Sequence, residues 1–150
     1  MVSPRLIRSI EAAQAEIALS AARHIRQDSD VPHMAGLSDQ DLRDWVHTIL
    51  SFLLSWPTAN LNKVMAARFQ ELGRRRFEES IPLQESVRCL HILKHVLFDF
   101  TRSRGFAQNA IEVYAQEELE HEVGLLFDHL VYAVVRGYEE ARSRAARKAT

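Results

Sequence analysis

Three side chains that could bind a metal ion are spaced four residues apart in the second half of the chain. His91, His95 and Asp99 would share one face of a helix, and these residue types are common zinc ligands. However, the apolar stripe of the same helix lies about 160° away from the histidines, at 100° per residue. Arginines at positions 88 and 102 on the exposed side would repel a divalent cation. We therefore interpret this face as solvated and expect neither a metal nor a cofactor.

Glu118 and His121 match one half of the Glu-x-x-His ligand motif of di-iron helical bundles. Such a site needs a second copy of the motif and two further carboxylates, and the sequence contains no second copy. We interpret this segment as a solvated acidic face.

A haem-binding or metal-binding globin-like sensor is the alternative hypothesis, because an all-helical chain of 150 residues has a suitable size. Haem binding needs a histidine that projects into an apolar pocket. His24 falls on the apolar stripe of its predicted helix, and His47 and His129 lie beside the apolar stripes of their own helices. A hydrogen-bonded histidine without a cofactor is the commoner explanation of such positions.

The sequence contains no known catalytic motif: it lacks the nucleophile elbow, the P-loop and the zinc-protease motif. Cys89, the single cysteine, falls on a buried stripe, where it would act as a small apolar residue. It can form no internal disulfide, which favours a reducing compartment. We expect a cytoplasmic protein that is not an enzyme and has no catalytic residues.

Charge and hydropathy limit the classes of partner. The chain has 19 lysines and arginines against 20 aspartates and glutamates. The basic run Arg74-Arg75-Arg76 is flanked by glutamates, so we interpret it as a solvated helix end. No uncharged apolar stretch reaches the roughly 18 residues that span a bilayer. We therefore expect neither nucleic-acid binding nor a membrane span.

The positions of proline, glycine and capping residues predict an all-α domain of about five helices. No segment alternates with period two, so we expect no strands. We treat residues 1–150 as one domain, with 143–150 as a frayed end or linker. The first predicted helix runs from Pro4, capped by Ser3, to about Gln27, and a loop over 28–36 follows it. The second runs from Ser38 to Trp56 before Pro57, and the third from Thr58 to about Glu79. The fourth runs from Pro82 to about Gly105, and the last from about Asn109 to Arg142 or beyond.

The last predicted helix is apolar on two opposite sides. One side carries Leu119, Val123, Leu126, Leu130 and Val134, flanked by Phe127 and Tyr138. Both sides must be buried, and a symmetric partner is an economical cover in a small domain. The alternative is a central helix wrapped by its own chain. We predict a homodimer whose interface comprises Tyr114, His121, Leu125, Asp128, Tyr132 and Val135.

Two segments resemble a known family. The helix start Ile81-Pro82-Leu83-Gln84-Glu85 resembles the IPL-x-E segment of RsbRD-type amino-terminal domains. The last helix, with its Phe127-Asp128 pair and Arg136-Gly137-Tyr138-Glu139 ending, resembles the closing helix of the same family. The residues that carry this resemblance are Ile81, Pro82, Leu83, Glu85, Phe127, Asp128, Gly137 and Tyr138.

The resemblance implies an all-helical sensory or protein-interaction domain without catalysis. Such domains precede regulatory modules in bacterial stress-signalling proteins, the co-antagonists of the RsbT kinase, and in some sensor histidine kinases. Related ones look like globins that lack haem. The implied partners are a regulatory kinase or a stressosome-type protein. In this chain, Pro82 would fix a helix start, Glu85 would favour that helix's dipole, and Asp128 would bond an arginine or a helix end.

Overall fold

The computed structural model describes residues 4–55, 61–103 and 109–150. This part of the chain is all-helical, as predicted, and ends in a long helix, but it contains seven helices where about five were expected. In chain order they are α1 (Pro4–Ala12), α2 (Gln14–Gln27), α3 (Pro32–Ala35), α4 (Asp39–Leu54), α5 (Leu61–Glu78), α6 (Leu83–Ser103) and α7 (Ala110–Lys148).

The first additional boundary is at Ala13, which divides the predicted helix over 4–27. Its backbone angles, φ −108° and ψ 16°, are not helical. Its N–H donates to the Ile10 carbonyl only three residues back, at 3.1 Å. Leu6, Ile10, Ile17 and Ala21 are buried on both sides of the break. Because the apolar spacing continues through Ala13, periodicity alone could not reveal the interruption.

The second additional element is the one-turn helix α3, within the predicted loop over 28–36. Pro32 occupies its first turn, where a missing N–H costs nothing. Met34 on this turn is 1% exposed, so the segment contributes to the core. Four residues are too few to show an apolar period, and the sequence pattern therefore did not predict this helix.

The helices predicted to begin at Ser38 and near Asn109 are both capped by these side chains. The Ser38 hydroxyl accepts a hydrogen bond from the Asp41 N–H at 3.1 Å. The Asn109 side chain accepts one from the Glu112 N–H at 2.9 Å. The predicted caps at Ser3 and Thr58, the helix end at Trp56 and Pro57, and the stop at Gly105 lie outside the described residues.

Helix α6 joins two pairs of helices. It packs against α7, which also packs against α5. It packs against α2 as well, and α2 in turn packs against α4. The apolar stripe of α7 is buried as predicted, and the apolar spacing of α4 and α6 also predicts stripes whose described residues are buried. In α5 the same spacing predicts a stripe that includes Val64, Met65 and Phe69; Met65 and Phe69 are buried, but Val64 is 54% exposed. The buried line of α5 continues through Gly73 and Arg76 instead, because a backbone contact with α7 determines which side of α5 faces inward.

That backbone contact is made at two glycines. A Cβ atom on Gly73 would lie 2.1 Å from the Val134 carbonyl oxygen, and one on Gly137 would lie 1.9 Å from the Gln70 carbonyl oxygen. Such distances are far below van der Waals contact, so only glycine fits at either position. Tyr138 extends the contact: its ring meets that of Phe77 edge-on, with centroids 5.5 Å apart.

The turn from α5 to α6 is a Schellman motif with a non-glycine residue at its left-handed position. Ser80 has φ 60°. Its N–H donates to the Phe77 carbonyl at 3.0 Å, and the Ile81 N–H donates to the Arg76 carbonyl at 2.9 Å. Ile81 is 3% exposed, and its carbonyl accepts a 2.9 Å hydrogen bond from the Tyr138 hydroxyl. The turn is therefore attached to α7.

The first prediction compares two glycines of α7. Gly137→Ala should lower the free energy of unfolding by about 3 kcal/mol or more, because its methyl group would force the α5 and α7 backbones apart. Gly124→Ala is the matched control, since a Cβ there meets nothing within 4 Å. Within a single copy of the chain it should raise the free energy of unfolding by about 0.5–1 kcal/mol through helix propensity. Urea unfolding measures both, and equal effects would contradict the glycine contact.

The second prediction concerns the left-handed turn residue. Ser80→Gly should raise the free energy of unfolding by about 1 kcal/mol, because glycine adopts φ 60° without steric cost. Ser80→Ala should be nearly neutral, which would show that backbone conformation and not the hydroxyl is responsible. Ser80→Val should destabilise, because its branched side chain clashes in this conformation. Thermal and urea unfolding of the three variants provide the test.

Candidate functional site

The six predicted interface residues lie together on one side of α7, which we call the outer face. It comprises Tyr114, His121, Leu125, Asp128, Tyr132 and Val135. Tyr114 is 73% exposed, Tyr132 66% and Leu125 39%. His121 and Asp128 are also exposed, and Val135 is half-buried. The described residues therefore leave Tyr114, Leu125 and Tyr132 uncovered on this side of α7.

The outer face is a narrow stripe. Positions 114, 121, 128 and 135 are seven residues apart, and positions 125 and 132 fall between them. At 100° per residue the six side chains fall within an arc of about 80°. They extend over about 30 Å of helix at 1.5 Å per residue. This is the pattern by which one helix packs lengthwise along another.

Helix α6 borders the outer face and forms a shallow groove with it. Lys94 and Phe98 of α6 line this groove opposite Glu117, His121 and Gly124 of α7; Glu120, Leu125 and Asp128 complete it. Lys94 and Phe98 are half-buried, so each still presents surface to a partner. The groove therefore combines an aromatic wall with one amine and several carboxylates.

Ion pairing holds α6 against α7 beside this groove. The Arg102 Nε donates to Glu120 Oε1 at 2.8 Å, and its guanidinium lies over the Phe98 ring, 5.8 Å from the centroid. The guanidinium lowers the pKa of the Glu120 carboxyl. The Gln116 amide also donates to the Thr101 hydroxyl at 2.8 Å. The position of the groove wall is therefore fixed within one copy of the chain.

Two residues of the outer face, His121 and Asp128, make no hydrogen bond within the part of the chain that the structure describes. Neither forms an ion pair with any of these described residues either. The expectation that Asp128 bonds an arginine or a helix end is therefore wrong for this part of the chain. Asp128 is exposed, and its negative charge raises the His91 pKa, against the other groups that lower it.

The histidines of α6 face solvent, as predicted. His91, His95 and Asp99 are all exposed. Partial burial is the main cause that lowers the His91 pKa, followed by the positive charges of Lys94 and His95. Over residues 4–55, 61–103 and 109–150, no three His, Cys, Asp or Glu side chains lie close enough to hold a metal ion.

The histidines considered for haem are also at the surface. His24 is exposed, although its spacing placed it on an apolar stripe, and its Nδ1 lies 2.8 Å from the Ser20 carbonyl oxygen. His47 and His129 are exposed as well. None of these three imidazoles therefore points into the core. The half-buried Glu118 of the di-iron half-motif shares no metal cluster with His121 within the described residues.

Glu85 has a role that sequence reasoning did not find. It was expected to favour its own helix, but it is 3% exposed and caps α3. Its Oε1 accepts from the N–H groups of His33 at 2.8 Å and Met34 at 3.1 Å, and its Oε2 lies 2.5 Å from His33 Nδ1. These partners are about 50 residues away in the chain, so no local pattern could identify them.

The other residues of the family pattern are also structural. Ile81, Phe127, Gly137 and Tyr138 are buried. Pro82 and Leu83 are half-buried, and α6 begins at Leu83, one residue later than predicted. Asp128 is therefore the one residue of this pattern that also belongs to the outer face.

The basic run is occupied by intramolecular ion pairs. Arg74 pairs with Glu71 and Glu78, and Arg75 Nε lies 3.3 Å from Glu79. These two arginines form the solvated helix end that we predicted. Arg76 differs, because it is 6% exposed and donates to Glu79 at 2.9 Å.

The comparisons with known proteins give one match. The model of a family described as the RsbT co-antagonist protein rsbRD N-terminal domain matches residues 15–150, which include all but the first residue of α2 and everything after it. No curated protein and no solved structure matches the chain. None of the described helices is both long and apolar enough to cross a membrane.

The third prediction tests the chemistry of Cys89. Burial is the main cause that raises its pKa to about 12, with the negative charge of Glu85 adding to it. The native thiol should react with a disulfide reagent at pH 8 at least about a thousandfold more slowly than the unfolded chain, because the attacking species is a thiolate. Leu19→Cys, at a position 63% exposed, is the control that should react at once. Rapid native reaction of the wild type would show that the thiol is accessible.

Proposed function

Because the chain belongs to the family of RsbT co-antagonist protein rsbRD N-terminal domains, we propose that it is a non-enzymatic bacterial signalling domain that dimerises through the outer face of α7. The family is named for a co-antagonist of RsbT, so we assign this domain to stress signalling with proteins as its partners. A second copy of the chain is the first of those partners. A regulatory kinase or a stressosome-type protein would receive the signal.

The exposure of Leu125, Tyr132 and Tyr114 along one stripe is the observation that supports dimerisation most directly. Exposed apolar side chains scattered singly need no explanation, but a continuous stripe favours an interface. Each aromatic ring can remove a large apolar area from water on association. A symmetric dimer doubles this gain, because both copies contribute the same face.

The length and attachment of α7 support a relay along the helix. It runs without interruption from Ala110 to Lys148. Tyr138 is its last buried residue, and from Arg142 onward every side chain is exposed. A change in how two copies pair at the outer face would therefore reach the exposed end through one continuous helix.

The reactive side chains support a binding role over catalysis. The Cys89 thiol is buried and its pKa is raised, so it is a poor nucleophile. The Glu85 carboxylate is engaged by the backbone of α3, and Arg74 is engaged by two glutamates. These groups stabilise the fold, whereas the exposed apolar side chains of the outer face are available to a partner.

The fourth prediction tests the interface with two exposed leucines, one on the outer face and one on α2. Leu125→Glu should shift the protein from dimer to monomer at micromolar concentration, because it would place a buried carboxylate at the centre of the pairing. Leu19→Glu is the matched control, since Leu19 is exposed on α2 and should leave the dimer unchanged. Sedimentation velocity measures both, with circular dichroism to verify folding.

A wild-type protein that sediments as a monomer at high micromolar concentration would contradict the dimer. Equal dissociation by Leu125→Glu and Leu19→Glu would assign the interface to another surface. Tyr132→Glu provides a second variant on the outer face, and it should dissociate the dimer as Leu125→Glu does.

A further inference from the structure

Several residues on and beside the outer face have a complementary residue at an equal distance on the other side of one point in α7. Pairs of positions are equidistant from the midpoint between Gly124 and Leu125: 114 with 135, 117 with 132, and 121 with 128. In each of these three pairs the two residues complement one another. The Tyr114 ring can pack on Val135, the Glu117 carboxylate can accept from the Tyr132 hydroxyl, and the His121 imidazole can donate to the Asp128 carboxylate.

Charge distinguishes between the two directions in which two copies of α7 could pack. In a parallel pair every residue faces its own copy, so Asp128 would face the partner's Asp128 and His121 would face the partner's His121. Like groups that face each other at an interface disfavour association. In an antiparallel pair about the midpoint, His121 faces the partner's Asp128, and the same contact occurs twice.

The imidazole and carboxylate are suited to that contact. Both side chains are exposed and make no hydrogen bond within the described chain. An imidazole N–H can donate to a carboxylate in either its neutral or its protonated form. The pairing would therefore give a hydrogen-bond partner to two groups that have none among the described residues.

The centre of the stripe also fits a close antiparallel approach. A Cβ on Gly124 would meet nothing within 4 Å, so the helix surface there is open. Leu125 of the opposing helix can occupy that space. Because the pair is symmetric, each copy's Leu125 would pack on the Gly124 of the other copy. Packing side chains of one helix into gaps of another is the usual basis of helix contact.

The groove beside the outer face accommodates a second side chain. In the antiparallel register Tyr132 of the opposing copy lies beside Glu117, at the groove that Phe98 and Lys94 also line. Its ring would pack against Phe98, and its hydroxyl would meet the Glu117 carboxylate or the Lys94 amine. The contact would bury both the exposed Tyr132 ring and the groove in which it lies.

From these features we infer that two copies of α7 pack antiparallel, with the two-fold axis between Gly124 and Leu125 and with His121 of each copy against the partner's Asp128. This inference rests on the proposed dimer and adds its direction and register. The exposed C-terminal ends, from Arg142 onward, then extend past the partner's Asn109 in opposite directions. At 1.5 Å per residue they begin about 50 Å apart.

Cysteine cross-linking tests the direction. His121→Cys and Asp128→Cys chains, one carrying a size tag, are co-expressed, purified as dimers and oxidised. The antiparallel register predicts that the mixed disulfide dominates, by about tenfold over either self-linked product. The reason is that identical positions lie about 10 Å apart along the axis, beyond the reach of a disulfide. The buried Cys89 should stay unlinked, and wild-type protein is the control.

The outcomes separate the inference from the proposed function. A sedimenting dimer whose His121→Cys chains link to each other would overturn the antiparallel register and leave the dimer standing. A dimer with no linkage at either position would also overturn the register. A wild-type monomer would remove the proposed interface itself, and with it this inference.

Charge exchange gives a second and independent test. His121→Glu should raise the dimer dissociation constant about tenfold, because it places two carboxylates together twice per dimer. Asp128→Lys should also raise it, because it removes the carboxylate that accepts from the imidazole N–H. The double variant should return within about threefold of wild type. His47→Glu, on the exposed side of α4, is the matched control and should have no effect. Additive weakening in the double variant would overturn the proposed pair.

Discussion

The backbone contact between α5 and α7 is the constraint on which the rest of the structure depends. Gly73 and Gly137 each lie against a carbonyl of the other helix, so neither position can carry a side chain. This contact determines which side of α5 is buried, and it therefore exposes Val64 and buries Arg76. It also fixes the rotation of α7, and with it the direction in which the outer face points.

The family pattern is mostly a pattern of scaffold residues. Ile81 and Tyr138 join the α5–α6 turn to α7 through a buried hydrogen bond, and Glu85 joins α6 to α3. These residues position the outer face without belonging to it. Membership in the family therefore accounts for how α7 is held, whereas the dimer that we propose depends on the particular side chains of the outer face.

Helical periodicity was sufficient to predict the elements whose pattern repeats over several turns. The buried stripes of α4, α6 and α7 and the second exposed side of α7 are of this kind, because each turn adds to the same signal. The break at Ala13 leaves no such signal because the apolar spacing continues through it from α1 to α2. Helix α3 leaves none because four residues are too few to show a period. The contacts of Glu85 and the burial of Arg76 depend on distant elements and cannot be found locally.

The rigid attachment of α7 also limits how a signal could move through the proposed dimer. Val135 of the outer face and Gly137 of the α5 contact lie within one turn of the same helix. Rotating or sliding α7 against α5 would drive its backbone into the Gln70 carbonyl, so the two helices must move as one body. In the proposed dimer, in contrast, the outer face would be held by side chains that can exchange partners. A change of state is therefore easiest between the two copies and not within either one, and α7 would carry the new angle directly to its exposed end.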